Sequence, residues 1–287
     1  MFNGKRLTLI CVLILIGVLI FGITKIYEKR FISKNEFSNI SPYAPYEKIY
    51  SYEVQNRERY VRYHSKNKDL SYEDVVVRVN IGLDYDFYKF INNANYDKDI
   101  FILVNKYTRL GSDYVPNDLE KIDDKYFING NKNVRLMRKE AKEAFERLSL
   151  ASVKSGYPVY GQSAYRDYNR QEEIYNSEVK NYGVAGADKD VARPGHSEHQ
   201  TGLSIDVSSN KSGDMLKFDK TPSFNWMMNN AYKYGFILRY PKGLENIHGF
   251  IYESWHFRYV GVKVASDLHN KHSNLTYDEY YYTFLYK

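Results

Sequence analysis

The sequence contains very little cysteine: its single thiol, Cys11, lies inside an apolar run near the amino terminus. The rest of the chain therefore cannot form a disulfide, a cysteine-ligated zinc site or a cysteine nucleophile. It also has no long run of lysine or arginine, because its 41 basic and 35 acidic residues are spread along the chain. The resulting net charge of +6 is too diffuse to indicate a nucleic-acid partner. No internal repeat, HExxH motif or phosphate-binding loop is found.

The only long run without charge covers residues 7–24, "LTLICVLILIGVLIFGIT". As a helix it would span about 27 Å, which is membrane length. No small-residue cleavage signature follows it, and Ile10 before Cys11 does not suit lipoprotein cleavage. We therefore expect an uncleaved single-pass anchor at residues 1–25. Basic residues flank the run on both sides. The segment before it is only six residues long, which favours a cytoplasmic amino terminus and an extracytoplasmic domain at the cell membrane. Residues 26–70 read as a polar stalk, and residues 71–287 as the folded domain.

Hydrophobic patterning in the folded domain mixes helices and strands without a regular βαβ alternation, which predicts an α+β fold. Residues 72–91 fit either a helix or a strand followed by a turn, whereas 99–106 ("DIFILVNK") predict a strand. Apolar spacing predicts a helix from residue 133 to a stop at Gly156. The later segments are predicted as a strand at 157–166, helices at 167–179 and 221–235, and a strand at 257–264.

Two short segments hold a set of residues suited to metal chemistry. "GLSIDV" alternates apolar and polar residues, which predicts a half-buried strand with Asp206 on its open face. His199 must lie in a bend before it, where Gly202 lets the chain fold back. In "YESWHFRYVG" a turn would bring Glu253 beside His256. Two histidines, an aspartate and a glutamate are the inventory of a catalytic zinc site, although spacing alone does not separate His199 from His196.

The motifs "SAYRDYNRQ", "SEHQTGLSID", "NAYKYGFILRYP" and "ESWHFRYVG", taken in this order, resemble the zinc D-alanyl-D-alanine carboxypeptidases of the VanY type and their L,D-carboxypeptidase relatives. The resemblance runs from about residue 103 to residue 261. It implies a small antiparallel sheet flanked by helices, of the Hedgehog/DD-peptidase kind, that carries a zinc ion (Zn2+). The resemblance assigns the metal ligands to His199, Asp206 and His256, the general base to Glu253, and an arginine facing the substrate to Arg166.

The resemblance also suggests weaker substrate contacts at Gln171 and Ser197. The sequence departs from the family pattern at Ser204, where alanine is usual. His196 is then expected to be a loop or supporting residue. Outside the motif residues, we expect His248, His269 and His272 to be exposed. Arg239 could contact substrate, but an ion pair is at least as good an interpretation.

These observations predict a membrane-anchored zinc carboxypeptidase that removes the terminal D-alanine from peptidoglycan stem peptides or their precursors, with D-Ala-D-Ala ends as the first choice of substrate. Two alternatives stay open at this point. One is an L,D-carboxypeptidase acting on the tetrapeptide, and the other is an inactive cell-wall binding module. The expected partners are peptidoglycan stem peptides and, through the amino-terminal helix, the membrane; no nucleic-acid partner is expected.

Overall fold

The computed structural model describes residues 19, 21–26, 41–128, 135–211 and 213–287. The chain divides into two compact units at the junction of Lys48 and Ile49. Most of the predicted anchor, residues 1–25, lies outside the described residues, as does part of the predicted stalk. Within the described part of the chain, no helix has the length and apolar character that a membrane crossing requires.

The folded unit begins earlier than residue 71. Residues 49–70 belong to the second compact unit and contain a helix, α1 (Arg57–Lys66), in which Tyr60 is fully buried. The Tyr60 hydroxyl donates to Asn80 Oδ1 at 2.8 Å, across to the next helix. The stalk prediction for residues 49–70 was wrong. It was based on the polar composition of this stretch, which does not show that Tyr60 is buried against the next helix.

A four-stranded antiparallel sheet with the strand order β5-β6-β8-β7 forms the centre of this unit. Two-stranded pairs lie apart from it: β1 with β2 is parallel, and β3 with β4 is antiparallel. The strands are β1 (Asn92–Asn93), β2 (Thr108–Arg109), β3 (Leu119–Lys121), β4 (Leu136–Arg138), β5 (Tyr160–Ser163), β6 (Ser204–Ser208), β7 (Phe236–Leu238) and β8 (His256–Tyr259).

The remaining α-helices surround the sheet. They are α2 (Tyr72–Ile81), α3 (Lys139–Lys154), α4 (Tyr168–Asp190), α5 (Pro222–Asn230), α6 (Glu245–His248), α7 (Gly261–Lys271) and α8 (Tyr277–Tyr280). The ambiguity at residues 72–91 is settled as a helix, since Ser71 and Asp74 form a capping box and Gly82 ends it in the left-handed conformation. Helices and strands are mixed as predicted, so the α+β class is confirmed.

Two apolar clusters hold these elements together. The larger cluster contains Ile205 and Val207 of β6 and the buried face of α3, where Phe145 contacts Phe236 of β7 edge to face at 6.1 Å. The smaller cluster joins α2 to the carboxyl-terminal helices α7 and α8, through residues such as Val77 and Leu268. The central sheet is thereby fixed by helices drawn from both ends of the folded unit.

Several local predictions hold with adjusted limits. The strand predicted at 157–166 is β5, and the helix predicted from residue 167 is α4, which continues to Asp190 with a break at Gly183. The helix predicted at 221–235 is α5 followed by a 3-10 turn that ends at Gly235. The helix predicted from residue 133 begins at Lys139, because the preceding residues 136–138 pair with β3.

Three strand predictions need correction. The strand predicted at 99–106 is absent: residues 99–101 end a 3-10 helix (Tyr96–Phe101), and residues 102–106 are buried as irregular chain. The Arg258 guanidinium donates to the carbonyl oxygens of Ile100 and Ile102. The strand expected over 257–264 stops at Tyr259, and α7 follows. Strand β6 is buried on both faces rather than half open: Asp206 lines a cleft, and Ser204 and Ser208 on the same face are fully buried.

Candidate active site

The two central strands place an aspartate and a histidine side by side. In the antiparallel register of β6 with β8, Asp206 lies directly opposite His256. The Asp206 Oδ1 atom is 3.1 Å from His256 Nδ1, and its Oδ2 atom is 3.3 Å from His199 Nε2. One ligand atom from each of these three residues lies within 4.8 Å of the other two. The structure therefore brings together the three side chains that the sequence predicted as metal ligands.

His199 reaches this position from a tight turn. It lies on a 3-10 helix over Glu198–Thr201, which Gly202 ends with φ of 68°. A Cβ atom at Gly202 would lie 2.8 Å from the side chain of Leu119 and 3.1 Å from that of Arg138. Only glycine combines this conformation with so close an approach, so the turn can place His199 ahead of β6, as the sequence predicted.

Hydrogen bonds on the far side of each imidazole decide which nitrogen faces the cluster. His199 Nδ1 lies 2.6 Å from the carbonyl oxygen of Ala164, which leaves Nε2 toward Asp206. His256 Nε2 lies 3.4 Å from Glu198 Oε2, which leaves Nδ1 toward Asp206. Two imidazole nitrogens and one carboxylate oxygen, with both rings held from behind, fit the donor set of a zinc ion with three protein ligands.

The electrostatics suit a metal-binding site. Burial opposes the ionised form of Asp206, but the adjacent imidazoles outweigh it and hold the pKa of this carboxyl well below its usual range. Burial lowers the pKa of His199, which favours the neutral imidazole that a metal ion requires. Burial opposes the charged form of His256, but its hydrogen bonds to Asp206 and Glu198 outweigh this effect and raise its pKa to about 9, so this imidazole has to release a proton to bind a metal ion.

Glu253 stands next to the cluster on the turn that precedes β8. The His256 backbone N–H donates to the carbonyl oxygen of Glu253 at 3.3 Å, and Glu253 Oε2 lies 3.7 Å from His256 Nδ1. This is the turn that the sequence predicted. Burial, together with the charge of Asp206, raises the pKa of Glu253 to about 8. A carboxyl group with its pKa close to neutrality can both accept and return a proton.

Arg166 follows β5 and faces the same cleft. Its backbone N–H donates to the His199 carbonyl oxygen at 3.1 Å, so the arginine and the histidine are tied together. Its guanidinium donates to Gln171 Oε1 at 2.9 Å and to Ser163 Oγ at 3.2 Å. Gln171 in turn donates to the carbonyl oxygen of Ala192 at 2.7 Å. Gln171 therefore lines the cleft and also orients Arg166.

The cleft has a volume of about 220 Å³, and of the predicted site residues all but Ser197 line it: Arg166, Gln171, His199, Asp206, Glu253 and His256. Ser197 is buried beneath the turn, where its hydroxyl accepts from the His199 backbone N–H at 3.4 Å. Aromatic and aliphatic side chains form the walls, and Tyr240 lies with its ring centre 4.9 Å from that of His256. Asp190, at the end of α4, lines the cleft as an exposed carboxylate.

The other histidines are placed apart from the cluster. His196 is buried against Tyr88, and its Nδ1 lies 2.7 Å from the carbonyl oxygen of Asn105, a supporting position. The expectation that His248 is exposed was wrong: it is 1% exposed, because its ring packs beside Tyr240 and bonds the Pro241 carbonyl oxygen. His269 is exposed as expected, whereas His272 is half-buried.

Sequence reasoning missed a buried charge cluster behind His256. Glu198 Oε1 accepts from Arg239 Nε at 2.8 Å and from Arg258 Nη1 at 3.0 Å, while its Oε2 faces His256. Arg239 Nη1 also donates to Asp278 Oδ2 at 2.7 Å. The four charged side chains are at most 1% exposed. Arg239 is therefore an ion-pair residue rather than a substrate contact. The available signal was a glutamate placed inside the histidine motif.

A cleft holding two imidazoles, a carboxylate, a buried glutamate and an arginine is typical of metal-dependent hydrolases. Residues 134–262 match the family model described as VanY, D-alanyl-D-alanine carboxypeptidase. The putative carboxypeptidase YodJ of Bacillus subtilis (strain 168) is 42% identical over 186 residues, 64% of this chain and 67% of that protein. This chain belongs to the VanY family of carboxypeptidases.

Other relatives cover both branches of the family. A D-alanyl-D-alanine carboxypeptidase of Enterococcus faecium is 33% identical over 187 residues, 62% of this chain and 56% of that protein. The structure of the LdcB LD-carboxypeptidase aligns with a TM-score of 0.61 and 39% identity, over 68% of this chain and 92% of that one. The Zn(II) complex of the D,D-pentapeptidase VanY from a VanB-type cassette aligns with a TM-score of 0.52 and 30% identity, over 63% and 97%.

Replacing Glu198 by glutamine tests its role behind His256. The change keeps the shape of the side chain but leaves the buried Arg258 without a carboxylate and leaves Arg239 with Asp278 alone. We expect the free energy of unfolding to fall by about 3–5 kcal/mol. Because His256 also loses a charged acceptor, zinc affinity should fall about 10- to 100-fold. Urea unfolding and competition with a chelating dye measure the two effects.

Glu143→Gln is the matched control, since Glu143 is exposed on α3 and makes no ion pair with a described residue. The expectation is contradicted if the Glu198→Gln variant unfolds at the same urea concentration as this control and binds zinc equally well. The buried charge cluster would then not support the site.

Proposed function

We propose that this protein is a zinc-dependent carboxypeptidase that removes the terminal D-alanine from peptidoglycan stem peptides, with D-Ala-D-Ala ends as its first substrate. The observation that carries the proposal is the convergence of His199, Asp206 and His256 in a cleft that also contains Glu253 and Arg166. The D-alanyl-D-alanine carboxypeptidases among its relatives support the choice of bond.

Zinc, when bound by these three residues, would supply Lewis-acid activation of water and of the scissile carbonyl group. Glu253 takes the proton from the attacking water, since its carboxylate lies beside the cluster and its pKa is raised by burial to about 8. The same group then delivers that proton to the amine of the departing D-alanine. One carboxyl group therefore serves first as base and then as acid.

Arg166 supplies the positive charge that the substrate requires. Gln171 and Ser163 hold its guanidinium in one orientation, so its entropy of ordering is largely lost before the substrate arrives. A fixed planar guanidinium can give two parallel hydrogen bonds to the terminal carboxylate or stabilise the developing oxyanion. Lysine, with a single point charge, would not reproduce this geometry.

An L,D-carboxypeptidase that shortens the tetrapeptide is the second candidate. It is favoured by the likeness to LdcB, which is an LD-carboxypeptidase with 39% identity and a TM-score of 0.61 to this chain. Both activities remove a terminal D-alanine and use the same ligands, base and arginine. They differ in the residue that precedes the scissile bond.

We also propose that the protein is a single-pass membrane protein with the catalytic unit outside the cytoplasm. The support is the uncharged run at residues 7–24 and the extracytoplasmic location of the polymer. Extraction of cell membranes at alkaline pH tests the anchor: the protein should stay in the pellet, and its release into the supernatant would contradict the proposal.

The substrate assay uses the purified full-length chain in detergent with zinc. A stem pentapeptide ending in D-Ala-D-Ala and the corresponding tetrapeptide are incubated separately, and the products are identified by mass. We expect the pentapeptide to lose one D-alanine and a chelator to stop the reaction, with zinc restoring it. Release from the tetrapeptide instead would select the L,D activity. A zinc-loaded protein that releases D-alanine from neither peptide would be a binding module.

Replacing Glu253 by alanine should separate chemistry from metal binding. The variant keeps all three zinc ligands, so it should bind zinc at the same stoichiometry while kcat falls by about 10²- to 10⁴-fold through loss of proton transfer. Metal analysis and the D-alanine assay give the two quantities. Glu172→Ala, at an exposed position on α4, is the control and should keep full activity. Near-normal turnover by Glu253→Ala would refute the base assignment.

A further inference from the structure

A second cavity, of about 340 Å³, lies in the part of the unit built outside the family-matched residues 134–262. Its walls come from residues 55–108 and 281–286, and it shares no lining residue with the catalytic cleft. We call it the tyrosine cavity, after Tyr281, Tyr282 and Tyr286. Its volume falls within the range of small-molecule sites, about 300–1,000 Å³.

Three hydroxyl groups that line this cavity lack a hydrogen-bond partner among the described residues. Tyr281 is 4% exposed, Tyr282 is 8% exposed and Thr108 is 7% exposed, and all three line the cavity. None of their hydroxyls makes a hydrogen bond to another residue that the structure describes. These hydroxyls are open to the cavity, so each can donate a hydrogen bond to a polar occupant and accept one from it. Burial raises the pKa of Tyr281 to about 12, which keeps its phenol a neutral donor.

The mouth of the cavity adds amide groups and an aromatic face. Asn92 and Asn93 are exposed on β1, which is paired to β2 through the backbone, and their side-chain amides make no hydrogen bond within the described residues. Phe90 also lines the cavity and is 36% exposed. Its ring stacks on Tyr85 at 4.9 Å with 12° between the rings, and the Arg59 guanidinium lies 4.8 Å from its centre. A ligand entering here meets a rigid ring and free carboxamides.

The walls offer no unpaired charge. Arg59 is the one charged residue among those that line the cavity. Its guanidinium is neutralised by both carboxylate oxygens of Asp84, at 2.5 and 2.8 Å, and also donates to Asn56 and the Val79 carbonyl oxygen. A phosphate, a metal ion or a charged peptide end would therefore enter without a counter-charge, at a desolvation cost that this site does not offset.

We propose that the tyrosine cavity binds a neutral N-acetylated hexosamine of a glycan chain. Hydroxyl and carboxamide groups match the hydroxyls and the acetamido group of such a sugar, which both donate and accept hydrogen bonds. The exposed ring of Phe90 matches the apolar face of a pyranose. Stem peptides fit less well because their charged groups find no partner here. The lining of the cavity carries the choice of sugar, and only the choice of the cell-wall glycan as the polymer that contains this sugar rests on the proposed function.

The test measures binding of the N-acetylglucosamine tetramer to the full-length protein by calorimetry. We expect saturable binding that weakens at least tenfold in the double variant Tyr281→Phe, Tyr282→Phe, which removes the two hydroxyls and keeps the rings. The double variant Asn92→Ala, Asn93→Ala changes exposed residues only, so it tests the site even if the first variant folds poorly. Tyr157→Phe, at an exposed tyrosine outside the cavity, is the control and should bind normally.

Three outcomes would overturn the proposal. They are no saturable binding of the tetramer, binding that neither double variant weakens, and displacement of the tetramer from the cavity by a stem peptide. Release of D-alanine from free peptides should be unchanged in both double variants, because the cavity and the cleft share no residue. Tetramer binding by a protein that releases no D-alanine would refute the proposed function and leave this inference standing.

Discussion

The active-site geometry depends on the register of strand β6 with strand β8. This register sets Asp206 opposite His256, so a carboxylate and an imidazole meet across one pair of backbone strands. A slip by one residue would turn one of the two side chains to the opposite face of the sheet and dissolve the cluster. Strand β5, on the other side of β6, ends just before Arg166. The sheet therefore positions the candidate metal ligands and Arg166 through hydrogen bonds of the backbone.

The charges buried behind His256 are better explained by orientation than by stability. Removing four charged groups from water is costly. Proteins with such buried clusters are often no more stable than variants in which apolar side chains of the same size replace the charged ones. Glu198, however, can hold the His256 ring only if its own charge is balanced, which Arg239 and Arg258 achieve. Asp278 extends the balance to a helix beyond the family-matched region. The carboxyl-terminal segment thus supports the orientation of His256, one of the three candidate metal ligands, through the ion pair of Asp278 with Arg239.

Local patterns in the sequence were sufficient for the parts of the site formed by neighbouring residues. Apolar alternation identified β6, and the spacing of Glu253 and His256 required the turn that the structure contains. Spacing could not separate His196 from His199, and the family pattern was needed for that. The run at 99–106 misled because an apolar segment is buried equally well without strand partners. The ion pair of Arg239 with Asp278 joins residues 39 positions apart, which no local period encodes.

The two cavities suggest how an enzyme of this kind could act on a polymer. Binding energy gained at a distance from the scissile bond is present equally in the ground and transition states, so it lowers KM without raising kcat. A sugar held in the tyrosine cavity would raise the effective concentration of the stem peptides attached to the same chain. Free peptides would gain nothing from it. In this arrangement the family-matched core would hydrolyse the peptide bond. The segments that flank this core in sequence would hold the glycan chain. The flanking segments are also those that complete the fold, through α2, α7 and α8, so attachment and stability would depend on the same residues.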